Sequence, residues 1–279
     1  MRLGNLQNRP VLITEAGSVD VEQASGGVFP ADFAVLYERW DGFRAWAQRA
    51  DFAVSARPFD TSALGNPVPA PRQIFAIGLN YADHARESRL DVPAVPPVFT
   101  KFASSLNGPR GDIQLPPGHV DWEVELVAVI GRRAHRVSRQ DAWEHVAGLA
   151  VGQDISERVL QLAGSPAQFS LGKSFPGFAP IGPVLVTPDE VADKDDLELG
   201  CSVNGEQLQK GRTSEMVFPV PELIARLSAV APLLPGDVIF TGTPAGVGLG
   251  RSPQRFLAAG DELHSYILGI GEMHHRFVA

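Results

Sequence analysis

Two glutamates lie on the same face of a predicted strand. The segment HVDWEVELVAVIG, residues 119–131, has the pattern of a strand, and successive side chains of a strand point to opposite faces. Glu123 and Glu125 therefore point the same way, and Val127 and Val129 follow them on that face. Two like charges beside apolar side chains resist burial unless a cation lies between them. We expect a cation site here; an exposed edge strand with a polar face is the alternative, and the two valines count against it.

A third carboxylate follows the next predicted strand. Asp154 lies in AVGQDISERVLQ, where an apolar strand ends and a short helix begins. Taken alone, Asp154 is better explained as the N-cap of that helix, since aspartate is a preferred cap residue. Taken with Glu123 and Glu125, it completes an all-oxygen site. Such a site selects Mg²⁺, Mn²⁺ or Ca²⁺ over zinc and leaves positions for water or a chelating substrate.

A histidine and a glutamate are three residues apart in FAIGLNYADHARES, residues 75–88. One helical turn would bring His84 and Glu87 within hydrogen-bonding distance. A carboxylate beside an imidazole orients the ring and raises its basicity, which is the usual construction of a general base. On spacing alone, a solvent-exposed histidine in a charged loop explains the pair at least as well, so both interpretations stay open.

Two further segments bear on this site. Lys173 is the only charged residue between Arg158 and Asp189, and a lysine in such a stretch either extends to the surface or meets a buried anion. Three carboxylates around one divalent cation leave one negative charge, which Lys173 could neutralise. The glycine-rich segment TGTPAGVGLG, residues 241–250, is not followed by a helix with a phosphate-binding pattern, so it does not predict a dinucleotide site.

Short strands with few helices must position these residues. The 28 glycines and 23 prolines indicate many turns, and Asn204-Gly205 predicts a type I′ hairpin turn. The predicted strands are Pro10–Thr14, Ile74–Gly78, Val98–Lys101, Trp122–Ile130, Leu149–Gln153, Pro183–Val186, Leu197–Val203, Val238–Thr241 and Glu262–Leu268. The predicted helices are Ala31–Ala50, Ser138–Val146 and Pro221–Val230.

The chain divides into a small and a large predicted domain. Residues 1–68 are predicted to form a small N-terminal α/β domain, and residues 69–279 a catalytic domain. The segment NPVPAPRQ between them has three prolines in eight positions, which favours an extended linker. In the first domain, apolar residues from Phe33 to Trp46 recur at helical spacing. This stripe must pack on the main domain or on a partner, and the sequence does not distinguish the two.

Composition excludes several classes of protein. Of 279 residues, 44% are hydrophobic and 20% charged, which excludes a disordered chain. The net charge of −8 argues against non-specific nucleic-acid binding. There is no apolar run near the ~18 residues of a membrane helix, and MRLGNLQNRP lacks the apolar core of a signal peptide. A single cysteine, Cys201, excludes an intramolecular disulfide framework. We expect a cytoplasmic protein without nucleic-acid or membrane partners.

Five segments, in this order along the chain, resemble the fumarylacetoacetate hydrolase (FAH) family. They are Gly78-Leu-Asn-Tyr-Ala-Asp-His84, Glu123-x-Glu125, Gly152-Gln-Asp154-x-x-x-Arg158-x-x-Gln161, Gly172-Lys173-Ser174-Phe175 and Thr241-Gly-Thr243-Pro244-x-Gly-Val-Gly248. Each is weak alone, but five in the right order are specific. The resemblance implies a β-rich α+β fold with a mixed β-sandwich or β-roll core, and a homodimer.

The resemblance also implies a Mg²⁺ or Mn²⁺ ion and a 2-oxo acid substrate that has a second carbonyl group. By the resemblance, the metal ligands are Glu123, Glu125 and Asp154; the catalytic residues are His84, Glu87 and Lys173; and the substrate-binding residues are Gln161, Thr243 and Arg158. The His84/Glu87 pair is similar to the dyad that small family members carry on a mobile lid.

Several reactions fit these parts. Family members hydrolyse acylpyruvates, decarboxylate oxaloacetate, or decarboxylate and isomerise oxo-diene-dioates. We expect C–C hydrolysis of an acylpyruvate to pyruvate and a carboxylic acid; decarboxylation or isomerisation at the same site is the alternative, and non-catalytic oxo-acid binding is a third. The larger hydrolases add a metal-binding carboxylate before the catalytic histidine, whereas Phe75–Asn80 contains no acid, which makes fumarylacetoacetate a poor candidate. Relatives often have Lys-Pro where this chain has Lys101-Phe102.

Overall fold

Two β-sheets packed face to face dominate the computed structural model, which describes residues 1–50, 52 and 55–279. The strands of the first half are β1 (Arg2–Leu6), β2 (Arg9–Thr14), β3 (Gly17–Asp20), β4 (Leu64–Gly65), β5 (Ile74–Ile77), β6 (Val98–Thr100), β7 (Leu106–Asn107), β8 (Arg110–Gln114), β9 (Val120–Asp121) and β10 (Val124–Ile130). Those of the second half are β11 (Val146–Gln153), β12 (Ser156–Glu157), β13 (Ala179–Val186), β14 (Glu198–Val203), β15 (Glu206–Arg212), β16 (Val238–Phe240), β17 (Glu262–Ile267) and β18 (Gly271–Val278).

Helices in the described residues are few and short. The α-helices are α1 (Val21–Ala24), α2 (Phe33–Glu38), α3 (Trp40–Ala47), α4 (Ala82–Glu87), α5 (Arg158–Gln161) and α6 (Val220–Val230). Single 3₁₀ turns lie at Thr61–Ala63, Ala103–Ser105, Ala142–His145, Pro188–Glu190, Thr213–Glu215 and Gly248–Gly250. Within the described part of the chain, none of these helices is long and apolar enough to cross a bilayer.

The larger sheet has eleven strands and the smaller sheet has five. The larger sheet has the order β3-β2-β1-β13-β11-β10-β16-β5-β6, with β4 paired to β1 and β7 paired to β13. The smaller sheet has the order β15-β14-β17-β18-β8, and β9 pairs with β12 apart from both. Most pairs are antiparallel, but β16 with β5, β18 with β8 and β13 with β7 are parallel. The expected β-rich α+β fold with a mixed sandwich core is confirmed.

Strand β10 separates two hydrophobic cores. Leu126 and Ala128 point into the core between the two sheets. Val127 and Val129 point to the other face, where they join the core formed with the N-terminal helices. Adjacent residues thus alternate between the cores, which confirms the alternation predicted for this segment. The face that carries Val127 and Val129 is the one on which Glu123 and Glu125 were predicted.

The hairpin between β14 and β15 has the predicted turn. Asn204 and Gly205 have φ angles of 52° and 81°, as the two central positions of a type I′ turn require. Helix α6 likewise confirms the predicted helix Pro221–Val230 to within one residue. The predicted strands are all present, with ends shifted by a few residues.

Two predicted helices are wrong. Ala31–Ala50 is not one helix, because α2 ends and α3 begins around Arg39, whose backbone is non-helical. The Arg39 guanidinium donates to the Val28 carbonyl at 2.6 Å and lies over the Phe29 ring, so tertiary contacts hold the break. Ser138–Val146 forms only a 3₁₀ turn at Ala142–His145. There the Ser138 hydroxyl bonds Asp141, which closes a local turn in place of a helix.

The N-terminal residues share the large sheet with the rest of the chain. Strand β1 pairs antiparallel with β13, and the aromatic stripe of α2 and α3 packs on the face of the sheet that carries Val127 and Val129. The stripe is therefore covered by this chain's own sheet. The division into domains at residues 68 and 69 stays a prediction.

Removing one ring from this stripe should destabilise the protein strongly. Phe43 is fully buried and contacts the rings of Phe29, Trp40 and Trp46. Phe43→Ala should lower the free energy of unfolding by about 3–5 kcal/mol, because it leaves a cavity in a close-packed core. Gln48→Ala at the exposed end of α3 is the matched control and should cost less than about 0.5 kcal/mol. Denaturant melts of the two variants would check this, and equal stabilities would contradict the packing described.

Candidate active site

The antiparallel register of β10 and β11 brings the predicted metal ligands together. Val124 of β10 lies opposite Gln153 of β11, so one step further Glu123 lies opposite Asp154. The Asp154 N–H donates to the Glu123 carbonyl at 2.9 Å and extends the ladder to this pair. Glu123 and Asp154, which are 31 positions apart in sequence, thus meet at one end of a central hairpin.

Glu123, Glu125 and Asp154 form one buried carboxylate cluster. One oxygen from each lies within 4.8 Å of the others, and all three side chains are buried. Glu125 Oε2 also accepts the Gly242 N–H at 2.7 Å. Asp154 is not a helix cap, because the carboxylate of Glu157 caps α5 instead. The exposed-strand and capping alternatives therefore do not describe these residues.

Two lysines lie against the cluster. Lys173 Nζ donates to Glu123 Oε2 at 2.8 Å, to Asp154 Oδ2 at 2.6 Å and to the Ser156 hydroxyl at 2.8 Å. Lys101 Nζ bonds the other Asp154 oxygen and the carbonyl of Lys173. Both lysines are almost completely buried. The prediction that Lys173 meets buried anions is thus met, and Lys101 is a second cation that the sequence reasoning did not assign to the site.

Two neighbouring glutamates have opposite electrostatic surroundings. Burial, reinforced by Asp154 and Glu123, raises the pKa of Glu125 well above its ordinary value. Burial also opposes ionisation of Glu123, but Lys173 and then Arg158 outweigh it and hold its pKa far below the usual range. Asp154 and Glu123 likewise raise the pKa of Lys173 against the effect of burial. Glu125 is therefore the carboxylate of the cluster that holds a proton most readily.

Arg158 is held by a carboxylate that the sequence analysis missed. Its Nε and Nη2 both donate to Asp121 Oδ2, at 2.9 and 2.7 Å. Its Nη1 donates to Glu123 Oε1 at 2.6 Å and to Gln161 Oε1 at 2.9 Å. Asp121 raises the pKa of Arg158 against the opposing effect of burial. The hydrogen bonds of the guanidinium thus orient the side chains of Glu123 and Gln161.

A signal for Asp121 was present in the sequence. Asp121, Glu123 and Glu125 occupy alternate positions of one extended segment, so the pattern that predicted two carboxylates on one face extends to a third. Lys101 follows β6 and is one of only four lysines in the chain. Its burial could not be read from spacing, because its partners come from residues 53 and 72 positions away.

His84 and Glu87 form the predicted pair on helix α4. His84 Nδ1 lies 2.7 Å from Glu87 Oε1, and Glu87 Oε2 accepts the Gly246 N–H at 2.8 Å. The imidazole is buried, so the alternative of a solvated loop histidine does not describe it. A carboxylate that accepts from Nδ1–H leaves Nε2 as the free, proton-accepting nitrogen.

The glycine-rich segment after β16 donates backbone hydrogen bonds to carboxylates of the protein. Its backbone N–H groups at Gly242, Gly246 and Gly248 donate to Glu125, Glu87 and Asp121 respectively. Gly246 has a φ of 110°, and a Cβ there would lie 2.1 Å from the Leu208 carbonyl oxygen. Only glycine fits this position. The segment therefore fixes carboxylate side chains of the site.

One cavity unites most of the predicted residues. It has a volume of about 270 Å³, and six of the nine predicted site residues line it: His84, Glu123, Arg158, Gln161, Lys173 and Thr243. The Thr243 hydroxyl donates to the Val124 carbonyl at 2.8 Å. The other three predicted residues lie behind this lining and contact residues that belong to it; they are Glu87, Glu125 and Asp154. The roles of the nine residues stay predictions.

The carboxylate cluster fits a divalent cation. Three buried carboxylates offer the hard oxygen donors that Mg²⁺, Mn²⁺ and Ca²⁺ prefer. The three carboxylates outnumber the two lysines that bond them, and burial together with Asp154 and Glu123 raises the pKa of Glu125. A cation at this point would remove that excess. Glu123, Glu125 and Asp154 are the residues that would hold it.

Metal affinity should therefore depend on pH through Glu125. Below its raised pKa, Glu125 carries a proton that a metal ion must displace, so affinity should fall as the pH is lowered and binding should release about one proton. Calorimetric titration with Mn²⁺ in two buffers of different ionisation enthalpy measures this release. The release should vanish at high pH, where Glu125 is already ionised. A metal affinity that is constant with pH would contradict the prediction.

Comparisons with known proteins agree with this geometry. The family model described as "Fumarylacetoacetate (FAA) hydrolase C-terminal" matches residues 73–278. A mitochondrial oxaloacetate tautomerase from Bos taurus is 47% identical over 214 residues, which make up 76% of this chain and 68% of the relative.

Two solved structures are similar over the full chain. A protein from Mycobacterium smegmatis is 56% identical with a TM-score of 0.95, covering 100% of this chain and 99% of its own. The maleylpyruvate hydrolase from Sphingobium sp., solved with manganese(II) and pyruvate, is 30% identical with a TM-score of 0.83 and the same coverage. The family match spans well over half of the chain and includes each of the nine predicted site residues. This chain belongs to the fumarylacetoacetate hydrolase family.

Proposed function

We propose that the protein is a divalent-metal-dependent hydrolase that cleaves acylpyruvates (2,4-dioxo acids) to pyruvate and a carboxylic acid. The observation that carries this proposal is the buried His84/Glu87 pair, because its imidazole lines the same cavity as Glu123 and Lys173. Hydrolysis needs a group that accepts a proton from water, whereas decarboxylation does not. The maleylpyruvate hydrolase similar to this chain was solved with manganese(II) and pyruvate, which is consistent with a pyruvate-forming reaction.

The metal would be Mg²⁺ or Mn²⁺ held by the three carboxylates. When bound, it supplies Lewis-acid polarisation of a chelating 2-oxo acid. The protein's own residues supply the rest. Arg158 positions Glu123 and Gln161 at the floor of the cavity. The Lys173 ammonium, which contacts Glu123 there, stabilises negative charge that develops on the substrate.

The proton movements follow from the dyad. His84 Nε2 accepts a proton from a water molecule, and the resulting hydroxide adds to the distal carbonyl carbon of the substrate. Glu87 keeps Nδ1 protonated and stabilises the imidazolium. The C–C bond between that carbon and the pyruvate methylene then breaks, which gives the carboxylic acid and a pyruvate enolate near Lys173. The proton taken from water returns to the enolate carbon and completes pyruvate.

Decarboxylation or isomerisation at the same site is the second candidate. The oxaloacetate tautomerase of Bos taurus, 47% identical to this chain, favours it. Both alternatives form an enolate that Lys173 could stabilise, but neither uses an attacking water. A decarboxylation would leave the buried dyad without a water molecule to activate, whereas an isomerisation would use it as the base that moves a proton. We place hydrolysis first because the similar maleylpyruvate hydrolase was solved with pyruvate.

The test is product formation from matched substrates. Purified protein with Mn²⁺ or Mg²⁺ should convert acetylpyruvate to equal amounts of pyruvate and acetate, and addition of EDTA should stop the reaction. Oxaloacetate measured in parallel reports CO₂ release and loss of the enol form. Turnover of oxaloacetate with no cleavage of acetylpyruvate would overturn the proposal in favour of the second candidate. No turnover of either would support the non-catalytic oxo-acid-binding role.

We also propose that the protein is a homodimer, on the strength of the family resemblance. Light scattering at micromolar concentration should then give twice the chain mass of 29.9 kDa. A monomer mass under these conditions would refute the dimer. A cytoplasmic location stays a prediction from the sequence.

A further inference from the structure

We propose that the acyl part of the substrate is uncharged and apolar, so that the enzyme prefers monoanionic 2,4-dioxo acids to dicarboxylates. This inference rests on the proposed function and specifies the substrate of that site. Three features carry it: the side chains at the cavity mouth, the pairing of every basic side chain in the lining, and the charge balance of the buried cluster.

The cavity changes character from its floor to its mouth. At the floor, Glu123 and Lys173 are almost fully buried. At the mouth, Leu90 and Leu162 line the same cavity, with 54% and 48% of their surfaces exposed. Phe169, also in the lining, packs edge-to-face on Phe99. A substrate whose 2-oxo acid end binds at the floor therefore places its acyl group against apolar side chains.

The described lining has no unpaired basic group for a second carboxylate. Its only arginine and lysine are Arg158 and Lys173, and both are occupied by Asp121, Glu123 and Asp154. His84 bonds the Glu87 carboxylate, so this pair contributes no net positive charge. A carboxylate at the far end of a substrate would lose part of its hydration to the apolar mouth without gaining a counter-charge, which is unfavourable.

The charges of the buried cluster also favour a substrate with a single carboxylate. Four carboxylates (Asp121, Glu123, Glu125 and Asp154) face three cationic side chains (Lys101, Lys173 and Arg158). The carboxylates of the cluster thus outnumber its cationic side chains, so the protein itself has no spare positive charge here for a second substrate carboxylate.

The competing hypothesis is that a cation outside the lining, Arg89, binds a second carboxylate of the substrate. Arg89 is exposed on the segment that follows α4, one residue before Leu90. If movement of this segment brought Arg89 over the mouth, it would offer a second carboxylate its missing partner and reverse the preference. Arg86, three positions earlier in the chain, already pairs with Asp83. The experiment must therefore distinguish an apolar mouth from one completed by Arg89.

The test compares ligands that differ only in the terminal group. In calorimetric titrations of the Mn²⁺-loaded protein, 2-oxopentanoate should bind at least about tenfold more tightly than 2-oxoglutarate, which has the same carbon chain with a second carboxylate. In kinetics, kcat/KM for 2,4-dioxoheptanoate should exceed that for 2,4-dioxoheptanedioate by about tenfold or more. Equal or reversed preferences would overturn the inference, and loss of a reversed preference in Arg89→Ala would identify Arg89 as the partner.

A charge placed at the mouth should reverse the preference. Leu162→Arg should bring 2-oxoglutarate binding to or above that of 2-oxopentanoate, because it supplies the missing counter-charge. Leu171→Arg is the matched control, since Leu171 is 61% exposed and lies outside the cavity lining; it should leave the preference unchanged. An unchanged preference in Leu162→Arg would overturn the placement of the acyl group. If neither dioxo acid is cleaved while the binding preference holds, the hydrolase proposal fails and the charge preference stands.

Discussion

Replacing Glu125 with glutamine should greatly weaken metal binding and yet make the metal-free protein more stable. Its burial beside Asp154 and Glu123 raises its pKa, so ionised Glu125 is costly in the absence of metal. The folded state binds this proton more tightly than the unfolded chain does. Stability without metal therefore falls as the pH rises from the ordinary glutamate value towards the raised value, and a glutamine removes that loss.

The expected effects are large and opposite. Affinity for Mn²⁺ should fall by about 100-fold or more, because one of three charged ligands is lost. In EDTA at neutral pH, the unfolding free energy should rise, because a neutral glutamine avoids the cost of an ionised carboxylate buried beside Asp154 and Glu123. Calorimetric titration and denaturant melts measure the two quantities. A variant that keeps its metal affinity would show that Glu125 is not a ligand.

The matched control is Glu123→Gln, two residues away on the same face. Lys173 and Arg158 hold the pKa of Glu123 low, so its charge stabilises the fold above the ordinary glutamate pKa. Its loss leaves two buried cations less compensated and should lower stability by about 3 kcal/mol. If both variants shifted stability in the same direction, the account of the cluster's charge would be wrong. Asp154→Asn is a less selective test, because Asp154 also bonds both lysines.

Replacing His84 with alanine should lower acylpyruvate hydrolysis by about 10²–10⁴-fold, the usual contribution of a general base. Metal affinity should be unchanged, since the imidazole is not among the proposed ligands. Release of CO₂ from oxaloacetate should fall much less, because decarboxylation needs no activated water. Added imidazole should restore part of the hydrolysis in His84→Ala. Full hydrolase activity in this variant would refute the assignment of the dyad.

Glu87→Gln separates the base from the group that orients it. The two carboxylate oxygens of Glu87 accept hydrogen bonds from His84 and Gly246. A glutamine has only one side-chain oxygen, and its NH₂ group can only donate, so it cannot accept both bonds in the same way. The variant should therefore lose hydrolysis by about tenfold or more, but less than His84→Ala. A shift in the pH profile with unchanged metal affinity would distinguish this positioning role from simple damage to the fold.

Much of the metal site could be predicted because it depends on local patterns. Strand alternation places Glu123 and Glu125 on one face, and an antiparallel neighbour brings Asp154 to them. One helical turn brings His84 to Glu87. These distances are fixed by backbone geometry, so residue spacing is enough to propose them.

Contacts between distant segments could not be predicted in this way. Lys101 reaches Asp154 across 53 residues, and Gly246 reaches Glu87 across 159. The break at Arg39 depends on contacts with Val28 and Phe29, which a helical pattern of apolar residues does not reveal. Local periodicity therefore predicts elements and short-range pairs, whereas tertiary packing decides where helices break and which buried charges meet.

The central claim is that water, activated by His84, cleaves a C–C bond of an acylpyruvate at the metal site. The most direct measurement is hydrolysis of acetylpyruvate in H₂¹⁸O with Mn²⁺ and mass analysis of both products. The account predicts that the acetate formed contains one ¹⁸O atom and that its amount equals that of pyruvate. Consumption of the substrate without ¹⁸O-labelled acetate would contradict it.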